Sequence, residues 1–167
     1  MASIANLAAA LLLGCGIVCS AQPLPAQTID TCYLTRQEVE AAIGAAVREE
    51  SPLERAQPNG SAFCTFAIRR VLRDSRYRIV FVRIDVHANE RQARARGVRW
   101  MSGTGEIPRT AVANLGDEAW YGGMTAFRKG ATTVVVNATG DLVVNVSGPR
   151  DREIEERLAR LIAARLP

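Results

Sequence analysis

The chain has 167 residues, of which 48% are hydrophobic, 23% charged and 5% aromatic, with a formal net charge of +4. That length suits one domain behind a leading segment, and the apolar content is too high for intrinsic disorder. The chain has no glycine period, sustained heptad or repeated long apolar run, which excludes collagen-like, coiled-coil and multi-pass membrane classes.

Residues 1–26 carry no charged side chain, and Asp30 is the first acidic one. Within that stretch Leu7–Leu13 continues through Gly14 and Cys15 to Val18, an apolar run of signal-peptide length followed by small residues and prolines. Two cleavage sites of the A-x-A type end at Ala21 and at Ala26. Leu12-Leu13-Gly14-Cys15 offers a third route, because it has the form of a bacterial lipobox with Cys15 as the candidate lipidated residue. Each route delivers the domain, residues 27–167, to the periplasm or the extracellular space, free or lipid-anchored; the rival reading of the same apolar run is an uncleaved membrane anchor.

Cys15 and Cys19 belong to the leader, so the mature chain keeps Cys32 and Cys64. Two thiols in an oxidising compartment are most simply one disulfide. Closing a loop of about 32 residues stabilises the fold by roughly 3–4 kcal/mol. Leu34-Thr35-Arg36-Gln37-Glu38-Val39 then opens a helix over Arg36–Ile43: Thr35 and Glu38 form a capping box, Leu34 and Val39 a hydrophobic staple, and Gly44 the stop. Residues 48–60 read as a short edge strand and a loop.

Over residues 61–70, Ala62, Cys64, Phe66 and Ile68 share one strand face, so the bridge would pin the helix entrance onto the sheet. A polar turn, Arg73-Asp74-Ser75-Arg76, leads into the longest strand, residues 77–87. Val80, Val82, Ile84 and Val86 point one way there, and Phe81, Arg83, Asp85 and His87 the other; an antiparallel hairpin with the preceding strand follows. Asn89 caps a helix running to about Met101, with Ala93, Gly97, Trp100 and Met101 as its packing stripe. Residues 102–109 form a glycine-containing loop. Four short strands are expected next, at 117–121, 124–128, 132–137 and 142–146, separated by Gly122-Gly123, Lys129-Gly130 and Gly140-Asp141. After Gly148-Pro149 a closing helix presents Ile154, Leu158, Leu161, Ile162 and Leu166 on one face, with Glu153–Arg157 and Glu156–Arg160 pairs at i,i+4. These elements give an α+β class: one twisted, mostly antiparallel sheet flanked by helices.

Cys32-Tyr33-Leu34-Thr35 with Glu38-Val39 and Ala42-Ile43-Gly44 resembles the opening of a family of exported bacterial proteins, mostly actinobacterial lipoproteins of unknown function. Cys64-Thr65-Phe66 matches that family's second cysteine. Leu115-Gly116-Asp117-Glu118-Ala119-Trp120 and Phe127-Arg128-Lys129-Gly130 match its turn and its hairpin, and Leu158-Ala159 its closing helix. The resemblance implies a PsbP-like α/β/α sandwich and a kinship with extracellular sensor domains of bacterial Ser/Thr kinases. It brings no catalytic residues with it.

Chemistry-bearing patterns are sparse. His87 is the only histidine, so a metal site built from imidazoles is excluded, and any histidine-based triad must use it. No nucleophile elbow, Walker loop or dinucleotide fingerprint follows a strand. Asp117-Glu118 invites a carboxylate-pair reading, but adjacent strand residues point to opposite faces; Asp85 and Glu106 would have to meet in space. Trp100, Trp120 and Tyr121 offer the lining of an apolar pocket, but the two tryptophans are assigned to the core. Lys129 is the only lysine, and the arginines include Arg91, Arg94, Arg96 and Arg99 on the second helix, candidates for contact with anionic lipid headgroups or cell-wall polymers. The expectation is therefore an exported, non-enzymatic envelope protein that binds a small ligand or a partner, with no cofactor, metal or nucleic acid and with peripheral membrane association as an option. The alternatives are an interaction module of an envelope complex and, third, a carboxylate-based hydrolase.

Overall fold

A computed structural model describes residues 32–56, 61–69, 79–101, 109–138 and 149–167. The expected leader with Cys15 and both expected cleavage sites, the Arg73–Arg76 turn, Glu106 and the strand expected at 142–146 lie outside the described residues, as do the side chains of Arg99, Trp100 and Met101.

Helix α1 spans Arg36–Ile43. Its start is set locally: Thr35 Oγ1 accepts from Glu38 N at 3.3 Å, and Glu38 Oε2 accepts from Thr35 N at 2.8 Å. Gly44 ends it with a left-handed φ of 69°. Strands β1 (Leu53–Ala56), β2 (Ala62–Ala67) and β3 (Ile79–Val86) form an antiparallel meander. Helix α2 (Glu90–Met101) then carries the chain to the far edge, where β4 (Thr110–Ala111), β5 (Glu118–Tyr121), β6 (Thr125–Lys129) and β7 (Thr132–Asn137) meander back to pair β7 with β3. The result is one seven-stranded sheet in the order β1-β2-β3-β7-β6-β5-β4, antiparallel at every seam. The long helix α3 (Pro149–Arg165) closes the chain. The expected α+β class with a single twisted sheet is what forms. Strand β4 is an addition to it.

Alternation along the strands separates two faces. Ala62, Cys64, Phe66, Val80, Val82, Ile84, Ala119, Phe127, Val134 and Val136 lie on one, and pack with Val39, Ile43, Ile154, Leu158 and Ile162 into a single core under α1 and α3. Each of the larger aliphatic side chains buried there contributes about 1.5–3 kcal/mol. On the other face α2 contacts β6 and β7, and Ala93 and Gly97 of the helix and Ala126 and Val135 of the strands are all buried. Close approach of α2 requires these small side chains, as the expected packing stripe anticipated at both positions.

Cys32 and Cys64 are joined, with Cα atoms 5.7 Å apart, and both are buried. The bridge ties the segment ahead of α1 to the core face of β2. Beside the bridge, at Tyr33, the two helices hold each other. Arg165 Nη1 donates to Tyr33 O at 2.6 Å and its guanidinium grips the Glu38 carboxylate, whose pKa falls to about 2 through the Arg165 bonds, against the effect of burial and with help from the Thr35 cap. No helix among the described residues is long and apolar enough to cross a membrane.

Two local devices secure the returning strands. Gly116, at φ 60°, presses against β6 so closely that a Cβ would lie 2.3 Å from Arg128 O, which is why glycine occupies this turn. Lys129, the sole lysine, turns under the end of α3 and donates to Leu166 O at 2.6 Å and Ala163 O at 3.1 Å. A cation on the last carbonyls of a helix satisfies orphan acceptors and opposes the helix dipole. Replacing it, Lys129→Met, is expected to cost about 1–2 kcal/mol, read as a lower urea midpoint with an unchanged slope.

The closing helix departs from expectation in one pair. Glu156 binds Arg160 at 3.3 Å as anticipated and also Arg152 at 2.7 Å, but Arg157 reaches Ala41 O on α1 and does not pair with Glu153. The groove between α1 and α3 draws its guanidinium across.

Candidate functional site

The face of the sheet opposite α1 and α3 carries polar residues where α2 begins. Arg83, Asp85 and His87 project from β3 and its end at alternate positions, and the register brings Phe63 opposite Arg83 and Thr133 opposite Asp85. With Ser61 from the start of β2 and Gln92 and Arg96 from α2, they line a cleft of about 240 Å³. Helix α2 is aimed over it by its cap: Gln92 N donates to Asn89 Oδ1 at 2.9 Å.

Asp85 is the hub. Its exposure is only 6%, and its oxygens accept from Arg83 Nε at 2.7 Å, Arg83 Nη2 at 3.0 Å and Ser61 Oγ at 2.7 Å. The Arg83 guanidinium lies 5.0 Å from the Phe63 ring centroid, which together with the carboxylate fixes its plane. His87 Nε2 shares a 2.9 Å hydrogen bond with Thr133 Oγ1. Burial pushes the imidazole below its ordinary pKa; Asp85 opposes that, while Arg96 and Arg83 reinforce it. The ring is therefore neutral at pH 7.

This is not the order of a nucleophilic triad, in which an imidazole stands between hydroxyl and carboxylate. Here the carboxylate stands between a hydroxyl and a guanidinium, and the imidazole Nε2 faces a threonine. What the arrangement offers is a rigid, charge-balanced floor with polar donors above it. Arg96 makes no ion pair with any described residue and contributes the cleft's unmatched charge.

The four arginines of the second helix do not act together. Arg96 lines the cleft, Arg94 Nε pairs with Glu118 at 3.2 Å, and Arg91 is exposed outside the cleft. The side chain of Arg99 is not described. Asp117 and Glu118 do converge, contrary to the expectation that they point apart: Asp117 sits in the turn before β5, so both carboxylates reach Arg128, at 2.7 and 3.4 Å. Arg128 is buried, also donates to Gly130 O at 3.0 Å, and makes the carboxylate pair a clamp on β6. Trp120 is half-buried on the α2 face and stands outside the core assigned to it, because it pairs in register with Ala126. Tyr121 packs partly against the core and lies under Arg152, 4.9 Å from its ring centroid. No metal-ligating cluster occurs among the described residues.

Sequence reasoning singled out Asp85 and His87 but not Ser61, Gln92 or Thr133, which distant segments bring to them. It also missed Glu155, a wholly buried carboxylate on α3. Its Oε2 accepts from Thr125 N at 2.8 Å and Thr125 Oγ1 at 3.3 Å, and its Oε1 from Ala138 N at 2.9 Å. Burial drives its pKa up to about 8; those hydrogen bonds pull the other way, and Asp151 adds to the rise. The signal was present in the spacing: Asp151, Glu155, Leu158, Ile162 and Leu166 form one stripe at steps of three and four, and all are buried.

No family model matches the chain, and no curated protein or solved structure matches it either.

Proposed function

We propose that the protein is an exported, disulfide-stapled envelope domain that acts by binding a small ligand in the cleft beneath α2. The cleft carries the reading: donors from β2, β3 and α2 converge on about 240 Å³, a space below the roughly 300–1,000 Å³ of pockets for drug-sized molecules. The Cys32–Cys64 bridge is consistent with an oxidising compartment. The uncharged leader and the resemblance to exported lipoprotein-like chains support the same address. Catalysis is not required of it, since Asp85, the one carboxylate among the described residues lining the cleft, is engaged by Arg83 and Ser61.

Native mass spectrometry of the chain secreted by its own host is the test. The expected result is a small adduct that disappears in Gln92→Trp, where an exposed helix residue is enlarged to fill the cleft without touching the core. An adduct-free wild type, or an adduct equally present in Gln92→Trp, would remove the cleft as the binding site.

A further inference from the structure

Resting on the cleft reading above, we infer that the ligand carries a phosphate-type oxyanion, held by the Arg96 guanidinium and the His87 imidazole. The charges of the lining determine this. Arg83 and Asp85 match each other in a two-point pair, which leaves the Arg96 guanidinium as the excess charge, beside the neutral amide of Gln92 and the neutral ring of His87. A cation entering the cleft meets that excess positive charge and a carboxylate already engaged. An apolar ligand would strip water from a guanidinium and an amide and return no hydrogen bond. A phosphate-type group answers both, since a guanidinium fork matches two of its oxygens. The confined volume admits an oxyanion with little attached to it.

His87 makes the binding proton-linked. The charged groups facing it are Asp85 and Arg83 from β3 and Arg96 from α2, with the Thr133 hydroxyl from β7. An anion seated against Arg96 offsets the two arginines and lets the ring accept a proton, adding a second charged donor. By linkage, a proton that the anion helps to bind helps equally to bind the anion. Affinity therefore rises as pH falls through the imidazole range.

The test uses the full secreted chain and calorimetric titration with sulfate, whose charge does not change between pH 5.5 and 8. Sulfate is expected to bind about tenfold more tightly at pH 5.5 than at pH 8. Arg96→Gln should abolish binding, and His87→Asn should remove the pH dependence. Arg36→Gln, an exposed change on the opposite layer, should alter nothing. Inorganic phosphate competing one-for-one with sulfate assigns a free phosphate as the source. Arg96-dependent binding to phosphatidylglycerol vesicles but not to phosphatidylcholine, with no uptake of sulfate or phosphate from solution, assigns a lipid headgroup. Equal loss in Arg36→Gln and Arg96→Gln would reduce the effect to bulk charge and overturn the inference. So would a Gln92→Trp-sensitive native adduct with no binding of sulfate, phosphate or phosphatidylglycerol, and in that case the cleft reading stands. If neither adduct nor anion binds, both fall.

Discussion

Raising the pH from 5 to 9 is expected to cost the fold on the order of 4 kcal/mol through Glu155 alone, about 1.4 kcal/mol of it between pH 7 and 9. The sign follows from the direction of the shift. The folded-state pKa, about 8, lies above the ordinary glutamate value of 4.5, so the folded chain holds a proton that the unfolded chain releases. The stability this provides is complete below pH 4.5 and is lost as pH rises through 8. The interval from 7 to 9 isolates it, because Glu38 acts only in acid, where its arginine-held carboxylate is protonated, and the depressed His87 titrates below pH 7. Denaturant midpoints should fall across that interval in the wild type and stay flat in Glu155→Gln. A flat wild-type profile would show that the carboxylate is ionised throughout. Glu155→Ala removes more: two buried amides, Thr125 N and Ala138 N, lose their acceptor and a cavity opens under α3, together about 3 kcal/mol or more at pH 6.

Reduction of the Cys32–Cys64 bridge is expected to lower stability by about 3–4 kcal/mol, from a loop of 32 residues. The bridge joins a segment with no strand partner to the centre of the core, so α1 loses its anchor to β2 and retains its contacts with α3. A double Cys32→Ala, Cys64→Ala variant should match the reduced protein, and dithiothreitol should leave that variant unmoved. Alkylation of the unreduced, unfolded chain from its native host should find neither residue as a free thiol. Two alkylated sites there would undermine export together with the bridge.

Legibility in the sequence tracked how local the determining interaction is. Helix α1 was readable to the residue because Thr35, Glu38 and Gly44 set its ends within one turn. The inward faces of β2 and β3 were readable because period-two alternation survives at Cys64, Phe66, Val80, Val82 and Ile84. Strand β4 was not, since two exposed residues become a strand only by pairing with Tyr121 and Trp120. The convergence of Asp117 and Glu118 was misread for a related reason: strand geometry begins one residue later than the pattern implied. In the cleft, the i,i+2 run Arg83, Asp85, His87 announced a polar face. Its partners Ser61 and Thr133 needed the register of β2 and β7, which no short window contains. Glu155 was hidden among Glu153 and Glu156, and only the phase set by Leu158 and Ile162 separates the one that turns inward.

The tie between Arg165 and the Tyr33 carbonyl also sets an orientation. Cys32, the first described residue, is fastened to the layer of α1 and α3, whereas the cleft opens on the layer of α2. The core layer and the cleft layer therefore lie on opposite sides of the sheet, so a change at the Arg165 tie reaches the cleft only through the strands between them.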